Sequence, residues 1–423
     1  MRQWMVAAKK ADFYAIAEKF HVDPVVARII RNREVIGEKN IRIYLGGNLS
    51  DLSDPHQMKD MDRLVEILAQ KIRKQVHIRI IGDYDVDGVT SSHLFLTALR
   101  HVGAKVDVVI PHRIQDGYGL SLHLLQQAKE DGVDTILTCD NGIAAIDEIA
   151  WAKAQKMTVL VTDHHAVPFE EHEGRRTEKK SLADAVVNPH QQDCGYPYKE
   201  LCGAGVAWNV IRVLYENYDM DKREAEDLLD FVAMATVCDV MSLTGENRIL
   251  VKEGLKRIRH TKNIGLQALM QACNVQPENI SAYHFGYVLG PCVNATGRLD
   301  TARHALRLFE TGQETEAEEI ARDLVDLNQE RKELTLQGVE MAKKLCEEGG
   351  YENDPVLVLF LPDVHESIAG LIAGRIREMY NRPVFVLTRG EEGVKGSGRS
   401  TENYSMYENM CGCAELFTKF GGH

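Results

Sequence analysis

The order of apolar and polar positions divides the chain into regions of different period. Over residues 11–20 and 24–33, apolar residues recur three and four positions apart, which is the spacing that places them on one face of a helix. The pattern therefore predicts an N-terminal helical segment over residues 1–70.

After residue 70, short β-branched runs alternate with helical patterns. Alternating strands and helices are typical of a parallel α/β sheet. Acidic residues follow three of the predicted strands, and ligands of open α/β sheets bind at the carboxyl ends of strands. We therefore expect one functional site at that edge of the sheet. The predicted strands lie at residues 77–81, 105–111, 135–138 and 158–161, and the predicted helices lie at residues 89–102, 121–130 and 144–156.

The middle of the chain predicts a loop followed by helices. Residues 167–184 are polar and charged and predict the loop, after which helical patterns resume at residues 203–218 and 223–239. A longer, charged amphipathic pattern covers residues 302–348 and includes Leu324 and Leu334 at apolar positions. It predicts a long helix that connects two domains.

A second α/β segment closes the chain. An apolar strand pattern at residues 355–360 is followed by a predicted helix at 366–380, a strand at 383–388 and a glycine-rich stretch at 393–398. The fold class we expect is therefore α/β, in four parts. These parts are a helical segment over residues 1–70, a parallel-sheet domain over 71–302, a connecting helix over 303–350 and a smaller α/β domain over 351–423.

Composition agrees with a globular chain of more than one domain. The chain has 423 residues, of which 44% are apolar and 27% charged, and a single core rarely grows beyond about 250–300 residues. With 50 basic and 63 acidic residues the net charge is −13, which excludes a polybasic DNA coat protein. It does not exclude a nucleic-acid enzyme with one basic groove, because binding follows the local field.

No apolar run approaches the length of a membrane-spanning helix, and residues 1–10 lack a secretory signal. We therefore expect a cytoplasmic protein without membrane association. The nine cysteines are scattered, and the nearest pair, Cys411 and Cys413, has no second pair to complete a zinc site. We expect ordinary buried thiols.

The strongest chemical signal is the acidic run at residues 82–88, which contains Asp83, Asp85 and Asp87. Alternate positions of an extended chain share a face, and three carboxylates that converge are unfavourable unless a cation neutralises them. Oxygen ligands at this density suit Mg²⁺ or Mn²⁺. An exposed acidic turn and a calcium loop are the alternatives, although Leu94 stands where an EF-hand requires glutamate.

Three further groups extend this signal. Asp163-His164-His165 follows the fourth predicted strand, and imidazole is both a metal ligand and an acid or base near neutral pH. Asp140 follows the third strand, and Asp239 ends an apolar helical pattern, where an aspartate must be paired, cap a helix or bind metal. A surface histidine pair and a plain helix end are the alternatives. Together the groups predict a two-metal phosphoesterase site.

The motifs Asp-Tyr-Asp-Val-Asp-Gly, Thr-Cys-Asp-Asn-Gly and Thr-Asp-His-His resemble those of the DHH phosphoesterase superfamily. Further motifs are similar to those of the bacterial RecJ family over nearly the whole chain. They lie at residues 55–61, 116–120, 289–298, 365–370, 395–400 and 421–423. The resemblance implies a DHH domain at 71–302, a long helix, and a DHH-associated domain at 351–423. It also implies a 5′→3′ exonuclease of single-stranded DNA that uses Mn²⁺ or Mg²⁺ in DNA repair and recombination.

The resemblance also implies a site. The expected metal ligands, with Asp140 bridging two divalent ions, are Asp83, Asp85, Asp87, Asp140, His164 and Asp239. His165 is expected to contact the scissile phosphate or assist the leaving oxygen, and Asp163 to orient a histidine. A water activated by the metals would be the nucleophile, so no covalent intermediate is needed.

Substrate-binding residues follow from the same resemblance. The expected residues are Arg113, Tyr118, Arg298, Arg375, Ser397, Arg399 and His423. Residues 371–400 hold six basic against three acidic side chains, a surplus that suits a phosphate backbone. Two positions depart from the family pattern: Cys292 replaces an expected arginine, and Val364 replaces a tryptophan often found there.

The expected partners are single-stranded DNA, a single-strand-binding protein and a helicase, and we expect a monomer. We also expect the chain to end inside the last motif of its second domain, before the OB-fold that often follows in the family. A DHH-family oligoribonuclease or cyclic-dinucleotide phosphodiesterase is the alternative function. A non-catalytic scaffold is the third hypothesis, and it is disfavoured because such proteins lose metal ligands that this chain retains.

Overall fold

A computed structural model describes residues 9–113, 116, 119–172, 175–351, 354–390 and 393–418. The fold divides into two compact units. Unit 1 comprises the residues up to Gly297 together with Thr301–Arg322, and unit 2 comprises Arg298–Asp300 and the residues from Asp323 onward. Among the described residues, no helix is both long and apolar enough to cross a membrane.

The N-terminal part of unit 1 is helical, as its apolar spacing predicts. Asp12 and Asp23 cap the first two helices by accepting hydrogen bonds from the amides of Ala15 and Val25, which satisfies donors that a helix start leaves without partners. The four helices are α1 (Phe13–Phe20), α2 (Pro24–Asn32), α3 (Glu38–Gly46) and α4 (Met61–Arg73).

Unit 1 is built around a five-stranded sheet whose strands are all parallel. The strands of unit 1 are β1 (Ile78–Ile81), β2 (Val106–Val109), β3 (Thr135–Cys139), β4 (Thr158–Thr162), β5 (Phe169–His172), β6 (Arg175–Glu178) and β7 (Ala185–Val187). The order in the main sheet is β2-β1-β3-β4-β7. These five strands are mostly apolar, as is usual where helices cover both faces of a parallel sheet. The helices that follow β1, β2 and β3 are α5 (Val86–His101), α6 (Leu122–Glu130) and α7 (Ile146–Ala154). The predicted parallel α/β fold is confirmed.

The loop predicted at residues 167–184 is wrong in part, since β5 and β6 form an antiparallel hairpin outside the main sheet. A two-stranded ribbon does not need an apolar face. Its polar sequence therefore lacks the alternation of apolar and polar residues from which a strand is predicted. The fifth strand of the main sheet, β7, was not predicted because it has only three residues.

A helical layer completes unit 1. The helix predicted at 223–239 is two helices. At the break between them, the carbonyl of Ala225 accepts hydrogen bonds from the Trp208 indole at 2.7 Å and from the amide of Leu228 at 3.3 Å. The layer consists of α8 (Gly203–Asn217), α9 (Lys222–Glu226), α10 (Leu229–Cys238), α11 (Gly245–Arg257), α12 (Ile264–Ala272), α13 (Ala282–His284), α14 (Gly290–Leu299) and α15 (Ala302–Glu310). A π-helical turn, Phe285–Leu289, joins α13 to α14.

The connecting helix predicted at 303–350 begins later than expected. Thr311 is extended and ends α15, and its hydroxyl accepts from the amide of Gln313 at 3.2 Å. The long helix is therefore α16 (Glu314–Gly349), which passes from unit 1 into unit 2 after Arg322.

Unit 2 is a small α/β unit, as predicted. Its sheet has three strands, with β9 (Val384–Gly390) between β8 (Leu357–Phe360) and β10 (Gly393–Arg399). Strand β8 is parallel and β10 antiparallel to β9. The core packs Val339 and Ala342 of α16 against Leu357, Ile372 and Val386. The elements are β8 (Leu357–Phe360), α17 (Ala369–Tyr380), β9 (Val384–Gly390), β10 (Gly393–Arg399) and α18 (Met406–Cys411). The nine cysteines are free thiols, and five of them are buried.

Candidate metal centre

The candidate site lies where the strand order of the main sheet reverses. Strand β1 pairs with β2 on one side and with β3 on the other, and such a switch point opens a crevice at the carboxyl ends of the strands. Asp83 follows β1, Asp140 follows β3 and His164 follows β4. All three are buried.

The turn from β1 into α5 carries the first three carboxylates. Asp85 caps the helix by accepting from the amide of Gly88 at 3.0 Å, and Asp87 lies in the first helical turn. A side chain at Gly88 would place its Cβ 2.5 Å from backbone atoms of Asp83, so this turn requires glycine. The carboxylates therefore do not alternate along an extended strand, as their spacing in the sequence suggested. The chain turns at Asp85 and enters a helix.

Asp87 is fixed by the start of a second helix. Its two carboxylate oxygens accept hydrogen bonds from the amides of Gly203 at 2.6 Å and Ala204 at 2.8 Å, at the first turn of α8. The N-terminus of a helix favours a negative charge. Asp87 is thus held in place by backbone groups that no side-chain pattern reveals.

Asp140 has a left-handed backbone with φ of +60°, a conformation that aspartate tolerates better than most residues. The neighbouring Asn141 holds the strand end, since its amide group donates to the carbonyls of Ile81 at 3.0 Å and Cys139 at 2.9 Å. Asp140 is therefore anchored to both β1 and β3.

His164 faces three carboxylates from different segments. Its Nε2 atom lies 3.0 Å from Oδ1 of Asp140, 3.6 Å from Oδ2 of Asp87 and 3.7 Å from Oδ2 of Asp239. Asp239 caps the C-terminal end of α10. One imidazole nitrogen thus sits among the ends of β3, α10 and the first turn of α5.

Asp163 has a different environment, because its oxygens are occupied by hydrogen bonds. Oδ1 accepts from the amides of His164 and His165 and from Nδ1 of His165 at 2.8 Å, and Oδ2 accepts from the amide of Ile143 at 2.8 Å. Asp163 therefore orients the ring of His165, and both of its carboxylate oxygens already accept hydrogen bonds.

The ligand atoms form three overlapping groups, and within each group all of them lie within 4.8 Å of one another. The groups are Asp83 with Asp85 and Asp140, Asp87 with His164 and Asp239, and Asp140 with His164 and His165. Among the described residues, Oδ1 of Asp83 and Nε2 of His164 are buried without a hydrogen-bond partner. A buried polar atom of this kind is costly unless a bound cation or another partner satisfies it. Carboxylate and imidazole donors fit Mn²⁺ or Mg²⁺.

Burial and mutual repulsion disturb the acids of this cluster. Burial, reinforced by neighbouring carboxylates, raises the pKa of Asp83, Asp85 and Asp140, and raises the pKa of Asp239 to about 8. Each neutral form is favoured only until a cation supplies the missing positive charge. The carboxylates with raised pKa values are therefore among the residues that form the ligand groups.

The two histidines differ in charge. Burial lowers the pKa of His164 and favours the neutral ring, whose lone pair is what a metal binds. Burial also opposes the charged form of His165, but the hydrogen bond and charge of Asp163 outweigh it and raise the pKa of His165 to about 9. In turn, the same contact overcomes burial and lowers the pKa of Asp163.

Comparison with known proteins points to one family. Residues 77–236 match the DHH family, N-terminal domain, and residues 353–423 match the DHHA1 domain. The single-stranded-DNA-specific exonuclease RecJ of Haemophilus influenzae is 35% identical over 418 residues, which cover 95% of this chain and 70% of that protein. The chain belongs to the RecJ family. RecJ of Bacillus subtilis is 33% identical, over 97% of this chain and 50% of its own.

A RecJ structure from Thermus thermophilus in complex with Mn²⁺ superposes with a TM-score of 0.80 at 29% identity. A Mg²⁺ complex from the same organism superposes with a TM-score of 0.74. The chain covers 57% of the Thermus Mn²⁺ structure. It covers 50% of the Bacillus RecJ and 70% of the Haemophilus RecJ, so it spans about half to 70% of the length of these relatives. The fold of the chain is therefore that of the RecJ family.

Of the two predicted substrate-binding residues in unit 1, Arg113 lies within the described part of the chain. Its guanidinium carbon lies 4.8 Å from the ring centroid of Tyr84, which stands between Asp83 and Asp85. A cation is thereby held beside the acidic turn. Tyr118 and His423 lie outside the described residues.

Unit 2 contains the other four predicted residues that the structure describes, and two of them are in contact. The Arg399 guanidinium donates to the hydroxyl of Ser397 at 3.3 Å, and a Cβ on Gly370 would lie 2.7 Å from both side chains. Arg298 donates to the carbonyl of Ser367 at 2.7 Å. Arg375 is apart from them on α17, exposed and 3.8 Å from Glu378.

The two departures from the family pattern are buried. The sulfur of Cys292 lies 3.8 Å from that of Cys273, and Val364 packs into the core of unit 2. An arginine at position 292 would need a solvated or paired environment that this packing does not offer.

Sequence patterns missed three groups that shape the centre. The amides of Gly203 and Ala204 hold Asp87, and the side chain of Asn294 accepts from the amide of Val86 at 3.2 Å. The signal for the first two was the small-residue run Gly-Ala-Gly at the start of a helix pattern. Asn294 lies in the motif at residues 289–298, which is similar to that of the RecJ family.

Proposed function

We propose that the chain is a metal-dependent nuclease that hydrolyses the phosphodiester bonds of single-stranded DNA from the 5′ end. The observation that carries the proposal is the cluster of overlapping acidic and histidine groups at the sheet's switch point. Membership of the RecJ family supports the substrate class. The 5′→3′ direction and the role in DNA repair and recombination belong to the same proposal.

The cofactor is two divalent cations, Mn²⁺ or Mg²⁺. We assign as ligands Asp83, Asp85, Asp87, Asp140, His164 and Asp239. When bound, such ions activate water and neutralise charge on the phosphate and the leaving oxygen. Asp140 belongs to two of the three ligand groups, which supports its assignment as the bridging carboxylate.

The protein's own acid is His165. Nδ1 of His165 contacts Asp163, and the hydrogen bond and charge of that carboxylate outweigh burial, raise the pKa of His165 and favour its protonated ring. The opposite ring nitrogen, Nε2, then donates to a phosphate oxygen or to the departing oxygen. Asp163 positions the ring and stabilises its charge, as a carboxylate does for the imidazole of a catalytic triad.

Contacts to the rest of the strand are assigned to basic and aromatic groups. Arg113 and Tyr118 in unit 1 are proposed to hold a phosphate and stack on a base, and Arg298, Arg375, Ser397, Arg399 and His423 to hold the phosphodiester backbone. Guanidinium groups are suited to this task because they bind phosphate in a bidentate manner. Stacking by Tyr118 would tolerate any base.

Several wider assignments remain part of the same proposal. We assign a DHH domain to residues 71–302 and a DHH-associated domain to 351–423, preceded by a helical segment at 1–70. The chain is proposed to act as a monomer in the cytoplasm, with a single-strand-binding protein and a helicase as partners.

The decisive assay uses single strands labelled at the 5′ or the 3′ end, incubated with the chain and Mn²⁺. We expect immediate release of a labelled mononucleotide from the 5′-labelled strand and gradual shortening of the 3′-labelled strand, with little action on blunt duplex. The reverse pattern would overturn the direction. A faster reaction on a dinucleotide than on a long strand would overturn the substrate class. An unchanged rate in Asp140→Ala would overturn the metal assignment.

A further inference from the structure

Two cysteines of unit 1 lie in contact. The sulfur atoms of Cys273 and Cys292 are 3.8 Å apart, and either thiol is able to donate a hydrogen bond to the other. Cys273 directly follows α12, and Cys292 lies in the first turn of α14. Neither belongs to a ligand group of the metal centre. Because Cys292 stands where the family pattern has arginine, the pair is a feature of this chain rather than of that pattern.

The two thiols differ in their access to solvent. Cys273 is half-buried, whereas Cys292 is only 2% exposed. The residue after Cys273, Asn274, is exposed and has a left-handed backbone with φ of +55°, so α12 ends at the surface there. A redox-active pair needs one sulfur that an oxidant reaches and a second sulfur close behind it. Cys273 fits the first role and Cys292 the second.

A disulfide between the two cysteines requires a small movement. Bonded sulfur atoms are about 2.0 Å apart, so sulfur atoms that start 3.8 Å apart must approach by roughly 1.8 Å. The Cys292 thiol also gives up the hydrogen bond that it donates to the carbonyl of Val288 at 3.3 Å. Because protein interiors are closely packed, part of this movement passes from Cys292 along α14.

Helix α14 packs on the acidic turn, which comprises residues 82–88. The side chain of Asn294 accepts a hydrogen bond from the amide of Val86 at 3.2 Å. One helical turn further on, a Cβ on Gly297 would collide with the carbonyl oxygen of Tyr84. The helix and the turn therefore touch without spare space, and a shift of α14 displaces the acidic turn.

We propose that Cys273 and Cys292 form an oxidation site, at which a hydroperoxide converts the two thiols into a disulfide and thereby shifts α14 against the acidic turn. The contact between the sulfur atoms carries the first part of the proposal, and the packing of α14 carries the second. Neither part depends on the nuclease activity of the chain or on the assignment of its metal ligands.

The chemistry proceeds in two steps that balance. The thiolate of Cys273 attacks one oxygen of hydrogen peroxide, the O–O bond breaks, and Cys273 becomes a sulfenic acid while one water leaves. The sulfur of Cys292 then attacks the sulfur of Cys273, the S–O bond breaks, and a second water leaves. Two thiols are thus oxidised by two electrons, and one peroxide is reduced to two waters.

The bond is expected to be reversible. Exchange with a small dithiol returns both sulfur atoms to thiols, and a reducing compartment keeps such a pair reduced except during oxidation. The pair therefore acts as a response to peroxide and does not serve as a permanent cross-link.

The first experiment locates the bond in the 423-residue chain. Residues 263–298 contain no internal lysine or arginine and include Cys273 and Cys292 as their only cysteines, so trypsin releases both in one peptide. The chain is treated with hydrogen peroxide in EDTA, alkylated with iodoacetamide in urea, digested and weighed. We expect this peptide to be lighter than the dithiol by two hydrogen atoms and to carry no alkyl group. After dithiothreitol it should take up two.

Variants identify the role of each sulfur. Cys273→Ser should leave Cys292 open to alkylation after peroxide, and Cys292→Ala should leave a sulfenic acid at Cys273 that dimedone labels. Cys411→Ser is the matched control, because it removes an exposed thiol of unit 2 and should form the bond as the parent does. A peptide that stays a dithiol in peroxide would overturn the proposal. So would added oxygen on Cys273 while Cys292 is still alkylated.

The second experiment tests the shift of α14 by hydrogen–deuterium exchange in EDTA. In the oxidised chain, residues 82–88 should exchange about five-fold faster or more, because the amide of Val86 loses its hydrogen bond to Asn294. Helix α17 in unit 2 should exchange equally in both forms, and peroxide-treated Cys292→Ala should match the reduced parent. Unchanged exchange at residues 82–88, or an equal increase in α17, would overturn the link between the bond and the acidic turn.

Discussion

A Cβ atom on Gly203 would lie 2.7 Å from the Cβ of Asp140. The same glycine donates its amide to Asp87. The start of α8 therefore packs directly on the end of β3 and holds one carboxylate while it touches another. No residue larger than glycine fits between them without moving one of the two.

We predict that Gly203→Ala lowers the nuclease rate about 100-fold, because a displacement of roughly 1 Å at a reacting centre costs that much. The free energy of unfolding should fall by about 1–3 kcal/mol through overpacking. Rates on a single strand and urea unfolding measure the two effects. Gly46→Ala is the control, since nothing lies within 4 Å of its Cβ position. A wild-type rate in Gly203→Ala would contradict the assigned geometry.

Asp140→Asn should abolish activity and the rise in thermal midpoint that Mn²⁺ produces in the parent chain. In EDTA its midpoint should be at least as high as that of the parent. The substitution removes one charge from a repelling cluster, and asparagine tolerates the left-handed backbone at this position. Thermal scans with and without Mn²⁺ measure both effects. A midpoint well below the parent's in EDTA would show that Asp140 stabilises the fold without metal.

Asp163→Asn separates positioning from metal binding. The substituted amide cannot accept all the hydrogen bonds that Asp163 accepts, so His165 loses its orientation and its charge. We expect the rate to fall about 10–100-fold, the usual effect of losing such a supporting contact. The Mn²⁺-induced rise in thermal midpoint should persist, because Asp163 is in none of the ligand groups. If that rise disappears together with the rate, Asp163 belongs among the ligands.

Asp230 gives a prediction on stability and pH. Burial raises the pKa of Asp230 to about 6 from its ordinary 3.8. A folded-state pKa above the unfolded one means that the carboxyl contributes most stability below pH 4 and loses that contribution as pH rises through 6. Asp230→Asn carries no charge, so its stability relative to the parent should increase by about 1–2 kcal/mol between pH 5 and pH 8.

Urea unfolding of both chains at the two pH values measures this difference. A constant difference would mean that Asp230 is ionised in the folded chain throughout the range. Asp227→Asn should make this pH-dependent change smaller, because the charge of Asp227 is one of the causes that raise the pKa of Asp230.

The sequence predicted the strands that carry Asp83, Asp140 and His164 because each is a short apolar run before an acidic residue. It could not predict how the acids of residues 83–87 are arranged, since that depends on a helix starting at Val86. The amides of Gly203 and Ala204 are invisible to side-chain patterns because they act through the backbone and across a long sequence separation. The hairpin β5–β6 and the break at Thr311 were missed because local hydrogen bonding, rather than apolar period, determines them.

The assigned ligands are scattered along the chain from Asp83 to Asp239, on four segments that meet only when unit 1 is folded. An unfolded chain therefore has no comparable site, and each ten-fold excess of cation over its dissociation constant should add about 1.4 kcal/mol to the free energy of unfolding. Proteases attack the opened chain in proportion to its population. A shortage of the cation would then lower the activity of the chain and would also increase its degradation by proteases.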